Sequence, residues 1–178
     1  MKLLAALLAT VTFLPTAHAA SLKTIRLLDG KVTFAVPSDL GQVNRQPRQY
    51  ARSVDLIALE SSDHRLSVLA TYGRLPMLRR ALPGLLDGKV NAYTNSSARY
   101  PHFRWIDHVL VERQGREWAQ VCFTHDLPPA SGGEAYSRSV STVLEGHLLE
   151  VWALSRAAHE SSQRAAVDRI IDSLQVPH

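Results

Sequence analysis

The segment LLEVWAL at residues 148–154, followed by HESSQRAAVDRIIDSLQV at residues 159–176, decides the fold. The first segment has the length and apolar content of a β-strand. In the second, apolar residues recur at helical spacing and form one stripe: Val167, Ile170, Ile171 and Leu174. A helix with a single apolar stripe needs another element to cover it, and the preceding strand is the nearest one. The end of the chain therefore predicts a helix packed on a sheet.

Upstream of this segment, the chain alternates strands with tight turns. Glu145-Gly146, Gln114-Gly115 and Asp29-Gly30 each separate two apolar stretches, a pattern typical of β-hairpins. The predicted strands are residues 24–28, 31–36, 54–60, 66–72, 103–112, 116–124, 135–144 and 147–154. A first helix is predicted to begin near Pro83. Because hairpins dominate, we predict an α+β domain, mainly an antiparallel sheet with helices packed on it.

The N-terminus, MKLLAALLATVTFLPTAHAA, has the order of a signal peptide. Lys2 precedes an apolar run that is shorter than the roughly 20 residues of a membrane span, and Pro15 ends it. The small residues of Ala17-His18-Ala19 predict cleavage after Ala19. The alternative is a buried N-terminal helix. We expect a signal peptide at 1–19, a single domain at 20–178, no membrane anchor, and a periplasmic or secreted protein.

The amino-acid composition bears on two questions: whether the chain binds nucleic acid, and whether disulfide bonds stabilise it. The 20 Lys and Arg residues are scattered, and the formal net charge is only +4, so we predict no nucleic-acid partner. The single cysteine, Cys122, excludes an internal disulfide. It lies in the apolar stretch WAQVCF, and we interpret it as a buried core residue.

Three segments together are similar to a known family. They are GKVTFAVPSDL at 30–40, GHLLEVWALS at 146–155, and RAAVDRIIDSLQV at 164–176. The chain resembles the PsbP-like superfamily, and within it most nearly the bacterial exported DcrB-like proteins. In that family an early strand runs into a proline, and the closing helix carries an aliphatic-Xaa-Ser-Leu/Ile motif, which Ile171-Asp172-Ser173-Leu174 matches.

The resemblance implies a PsbP-like α/β/α sandwich, an antiparallel sheet between helices. It also implies an accessory or binding role, because members assist photosystem assembly, bind a small GTPase, or act in bacterial envelopes. It carries no catalytic residue over to this chain.

The sequence contains none of the common catalytic or metal-binding motifs. His-Glu-Xaa-Xaa-His, Cys-Xaa-Xaa-Cys and Gly-Xaa-Ser-Xaa-Gly are all missing. We therefore assign no catalytic, cofactor-binding or metal-binding residue and expect no cofactor. Trp105, Trp118 and Trp152 lie in predicted strands and are interpreted as core residues. The alternative is a binding anchor, if one of them is exposed beside the loop at 39–52 or the loop at 126–134.

These observations predict an exported, non-enzymatic accessory protein that binds a protein partner. The predicted partner-binding residues lie on or beside two loops, at 44–52 and 127–133: Arg45, Arg48, Arg52, Asp126 and Glu134. A specific version is an immunity protein against a secreted antibacterial effector. The alternatives are a small-ligand carrier or hydrolase with a cleft between sheet and helix, and an envelope stress or assembly factor. The sequence leaves the oligomeric state open.

Overall fold

The computed structural model describes residues 21–45, 53–74, 82–95, 100–128 and 133–176. Its helices are α1 (Leu82–Thr94) and α2 (Ser161–Asp172). Its strands are β1 (Leu22–Leu27), β2 (Val32–Pro37), β3 (Gly41–Gln42), β4 (Ser53–Glu60), β5 (Leu66–Arg74), β6 (Arg104–Arg113), β7 (Arg116–Asp126), β8 (Glu134–Leu144) and β9 (His147–Ser155).

One antiparallel seven-stranded sheet organises the domain, in the order β3-β4-β5-β9-β8-β7-β6. The last strand of the chain, β9, lies near the middle, between β5 and β8. Strands β1 and β2 form a separate two-stranded hairpin. The sheet and its two packed helices confirm the predicted α+β fold class.

The two helices cover opposite faces of the sheet. Leu149 and Val151 on β9 belong to the large core under α2, whereas Leu148 packs in a smaller cluster with Leu82 and Leu85 of α1. Successive side chains of a strand point to opposite faces, so α1 and α2 lie on different sides. Helix α1 contacts β6 and β7; α2 contacts β8 and β9 and is flanked by β2.

The apolar stripe of the closing helix is buried as predicted. Val167 and Ile171 are fully buried, and Ile170 and Leu174 are nearly so. The helix is shorter than the predicted range, because it ends at Asp172. Ser173 accepts a hydrogen bond from the backbone of Ala35, and the chain then runs beside β2. Residues 173–175 thus make hydrogen bonds with β2 in place of a further helical turn, and the helix ends there.

Two local expectations were wrong. The first hairpin turns through four residues, 28–31, because pairing ends at Leu27 and Val32. Leu28 has a positive φ of 50° and packs against the core, which lengthens the turn around Asp29-Gly30. The segment at 39–52 was predicted to be a loop, but Gly41-Gln42 pairs with β4 as the short strand β3.

The predicted signal peptide at 1–19 lies outside the described residues, so it stays a prediction, as does the single domain at 20–178. No described helix is long and apolar enough to cross a membrane. Cys122 is buried, as interpreted from the sequence.

Candidate functional site

A cleft of about 430 Å³ opens on the face of the sheet that carries α1. Helix α1 packs over β6 and β7, whereas the cleft lies over β4, β5 and β9. Neither helix contributes a described residue to its lining. Its lining includes Val43, Arg45, Leu69, Trp152, Leu154 and Arg156. The cleft is therefore a hollow on the sheet itself and does not lie between sheet and helix.

Strand register builds the apolar floor of the cleft. Ala58 on β4 lies opposite Leu69 on β5, and Leu69 lies opposite Trp152 on β9. Side chains opposite one another across antiparallel strands share a face, so these three form one row. In the next row, Leu154 lies opposite Ser67. Alternation along three strands thus produces a floor that no single stretch of sequence contains.

Trp152 presents ring surface to the cleft. Its side chain is partly exposed, but its indole Nε1 is buried and has no acceptor among the described residues. The contact that it offers an occupant is therefore apolar. Large aromatic side chains that are partly exposed in a hollow are typical anchors of binding sites.

The rim of the cleft is positively charged. Arg156 lies 3.5 Å from Glu60 and donates to the backbone carbonyl of His64 at 3.2 Å. His64 also contacts Glu60, at 3.1 Å. Arg45 makes no ion pair with any described residue. The segment just before it is held against β4 by a hydrogen bond that Val43 N–H donates to the backbone of that strand. The carboxylate of Glu60 is shared between two partners, and Arg45 is available to an anionic group.

Of the predicted partner-binding residues, Arg45 lines the cleft, and Arg48 and Arg52 lie outside the described residues. Asp126 and Glu134 lie opposite each other in the β7–β8 register and do not line the cleft. His102 lies 2.5 Å from Asp126, and Arg104 and Arg164 contact Glu134. Both carboxylates are therefore engaged with basic side chains of the chain itself.

The pKa of Glu134 reflects these contacts. Burial opposes ionisation, but hydrogen bonds from Arg104 and Thr124 and the charge of Arg164 hold the pKa of the carboxyl below its usual range. Glu134 thus remains an anion, and it holds Arg104 and Arg164 at this end of the sheet.

The sequence interpretation missed a polar cluster between α1 and the sheet. Lys89 Nζ lies 2.5 Å from Glu150, 2.8 Å from Ser141 and 3.2 Å from Ser139. The alternating serines of β8 were its only sequence signal. The cluster fixes α1 to β8 and β9. No group of three or more His, Cys, Asp or Glu side chains is placed to hold a metal ion in the described part of the chain.

No family profile matches the sequence. No curated protein matches it either. Solved structures do match. The solution structure of cyanobacterial PsbP (CyanoP) from Synechocystis sp. superposes with a TM-score of 0.65 and 12% identity, over 94% of this chain and 99% of that one.

Two further structures are similar over most of their length. The Ran-binding protein Mog1p of Saccharomyces cerevisiae has a TM-score of 0.55 at 10% identity, covering 89% of this chain and 96% of that one. LpqN of Mycobacterium tuberculosis, described as involved in cell envelope biogenesis, has a TM-score of 0.53 at 11% identity, covering 89% and 91%. The narrower likeness to DcrB-like proteins stays a prediction. At these identities the likeness is one of architecture, and this chain has the PsbP-like fold.

Proposed function

We propose that this chain is an exported, non-enzymatic accessory protein that binds another protein through the cleft. The observation that carries the proposal is the combination of Trp152 and Leu69 on the floor with Arg45 and Arg156 on the rim. Aromatic and arginine side chains dominate the binding energy of protein interfaces. The leader sequence at 1–19 supports export to the periplasm.

The chemistry of the cleft specifies the kind of segment that fits. An apolar side chain of the partner packs on Trp152, and an acidic side chain beside it reaches Arg45. Arg156 lies beside Glu60, which balances its charge, so Arg45 is the arginine of the rim that is open to an acidic group. The proposal also agrees with the words "Ran-binding" and "cell envelope biogenesis" in the descriptions of two proteins with this fold, Mog1p and LpqN.

The test compares capture of one partner by three purified proteins. The wild type retains a specific protein from envelope extract at low salt. Arg45→Glu reverses the charge at the rim and abolishes retention, whereas Arg26→Glu, an exposed arginine of β1 outside the cleft, retains the partner. Equal retention by both variants contradicts the cleft as the binding site. Recovery of the protein from the cytoplasm with its first 19 residues intact contradicts export.

The narrowest form of the proposal is an immunity protein that neutralises a secreted antibacterial effector encoded beside it. Co-production with the product of an adjacent gene tests this form. Survival of the host and co-purification with that product support it. Growth arrest of the host despite production of this chain contradicts it and leaves the broader binding role intact.

The size of the cleft favours a second candidate, a small-ligand carrier. Ligand pockets commonly enclose about 300 to 1,000 Å³, and this cleft falls within that range. If this role is correct, native mass spectrometry of gently purified protein shows a retained small molecule. The Leu69→Arg variant loses that molecule, because the arginine side chain fills the floor of the cleft. A spectrum of the unliganded mass alone opposes the carrier role.

A further inference from the structure

The outer edge of β6 carries exposed apolar side chains. β6 is the terminal strand of the sheet order, and within the described residues only β7 pairs with it. Ile106, Val109 and Leu110 are 53%, 36% and 36% exposed. An unpaired edge presents backbone N–H and C=O groups to any strand that approaches. Strand β6 is ten residues long, so its open edge is long enough to accept another strand.

The hairpin turn determines which backbone groups of β6 point outward. Gln114 and Gly115 have φ values of 54° and 68°, as in a two-residue primed turn. The residues that flank such a turn, Arg113 and Arg116, form a hydrogen-bonded pair, and such pairs then alternate along the strands. The residues whose backbone groups face away from β7 are consequently His108, Leu110 and Glu112.

We propose that β6 pairs with β6 of a second copy of this chain, antiparallel about a two-fold axis at Leu110. Leu110 then lies opposite Leu110 of the second copy, and Val109 opposite its Val111. Asp107 meets the second copy's Arg113, and His108 meets its Glu112. The pairs formed by Leu110, His108 and Glu112 exchange backbone hydrogen bonds, two for each pair.

Charge complementarity identifies the occupant and the register. Within residues 107–113, each carboxylate faces a basic side chain of the second copy, and each aliphatic side chain faces another. A shift of two residues in one direction places Asp107 opposite Val111, and a shift in the other places Val109 opposite Arg113. Charged groups then lose their partners, and apolar contacts are lost as well. The strand is therefore complementary to itself in one register.

The fold limits the pairing to seven residues, from Asp107 to Arg113. A bulge between Trp105 and Asp107 interrupts the regular ladder at the start of β6, and the turn ends it after Arg113. Asp107 and Arg113 are already oriented by Gln120, at 3.2 and 2.8 Å. Arg113 also lies 3.4 Å from Asp172 of α2, so both charged side chains are turned over their own sheet, and pairing across the axis requires them to turn toward the second copy.

The helices leave room for the pairing. An antiparallel strand pair has its two-fold axis perpendicular to the sheet, so both copies of α1 lie on one side. Helix α1 packs on β7 as well as β6. The two β7 strands lie three strand spacings apart, about 14 Å, which exceeds the roughly 8 to 10 Å between packed helices.

Light scattering coupled to size exclusion tests the proposal on the purified protein. The wild type is a dimer in concentrated solution. Leu110→Lys places two lysines at the axis and gives a monomer, and circular dichroism checks that this variant is folded. Val54→Lys, at an exposed apolar residue of β4, remains a dimer. A wild type that is monomeric at every concentration overturns the proposal, as does loss of the dimer in both variants.

A charge exchange tests the register. His108→Glu puts carboxylates opposite each other at two symmetric positions and weakens the dimer about tenfold. Adding Glu112→Lys restores the opposite charges and brings the affinity back to within about threefold of the wild type. Failure of the double variant to recover overturns this register.

Discussion

Arg138 Nη1 lies 3.0 Å from Asp168 Oδ1, across the boundary between β8 and α2. The side chain of Arg138 is only 12% exposed, and its other terminal nitrogen lies 3.0 Å from Asp172. Asp168 also accepts a hydrogen bond from Tyr136, at 2.8 Å. The closing helix is therefore fixed to the sheet by charge as well as by its apolar stripe.

Replacement of Asp168 by alanine should lower the free energy of unfolding. Tyr136 loses its acceptor, and Arg138 keeps fewer partners in a largely buried position. Because Asp168 is itself partly exposed, we expect a loss of about 1 to 2 kcal/mol. Urea denaturation measures it. The control is Asp87→Ala, an exposed aspartate of α1, which should change stability by no more than about 0.5 kcal/mol. Equal effects of the two replacements contradict a stabilising role for this contact.

Alkaline pH should destabilise the protein through Tyr136. Burial raises the pKa of the phenol far above its ordinary value of 10.0, and hydrogen bonds to Cys122 and Asp168 act in the same direction. The unfolded chain releases this proton near pH 10, whereas the folded chain retains it, so the unfolded state gains stability as the pH rises. The contribution is complete below pH 10 and is lost above it.

The measurement is the urea midpoint from about pH 8 to about pH 11, for the wild type and for Tyr136→Phe. The wild type should lose stability over the upper part of this range. The variant should show a flatter dependence, whatever its stability at neutral pH. Parallel curves for the two proteins exclude Tyr136 as the responsible group.

Cys122 should react with thiol reagents only when the protein opens. Its side chain is 4% exposed, and burial raises the pKa of the thiol, which lowers the concentration of the reactive thiolate. We expect labelling by a disulfide reagent to be at least about a hundredfold slower in the native protein than in urea. The absorbance of the released thiolate follows the reaction. Labelling at the same rate in both conditions shows that the sulfur is accessible.

Two serines on the same face of β8 should respond in opposite ways to alanine. Ser137 and Ser141 are both fully buried. The hydroxyl of Ser137 has no partner among the described residues, whereas that of Ser141 accepts from Lys89. Ser137→Ala should raise the free energy of unfolding by about 0.5 to 1 kcal/mol, and Ser141→Ala should lower it by about 1 kcal/mol. Each serine is the control for the other, and changes of the same sign would count against the assigned hydrogen bonding.

The sequence was sufficient where structure is decided by neighbouring residues. Gln114-Gly115 and Glu145-Gly146 predicted their hairpins, because two successive positive φ values favour such residues. The stripe of Val167 and Ile170 likewise predicted a buried helix face, since helical spacing alone places them together. These elements depend on contacts within a few residues along the chain.

The pairing of strands that are distant along the chain could not be predicted from the pattern of apolar residues. β5 pairs with β9, so that Leu69 lies opposite Trp152, and no local signal links two segments so far apart. The floor of the cleft depends on this pairing. For the same reason the sequence left Trp152 open as a core residue or an anchor, and did not show that Asp126 and Glu134 meet basic side chains of the chain itself.

The central place of β9 has a consequence for how the molecule acquires its structure. As the chain emerges N-terminus first, β4–β5 and β6–β8 form two separate groups of strands, and only residues 147–155 can join them. A chain that stops before residue 147 has two unfinished sheets with open edges. Cooperative folding of the sheet therefore requires the last thirty or so residues, because they include the strand that joins the two groups.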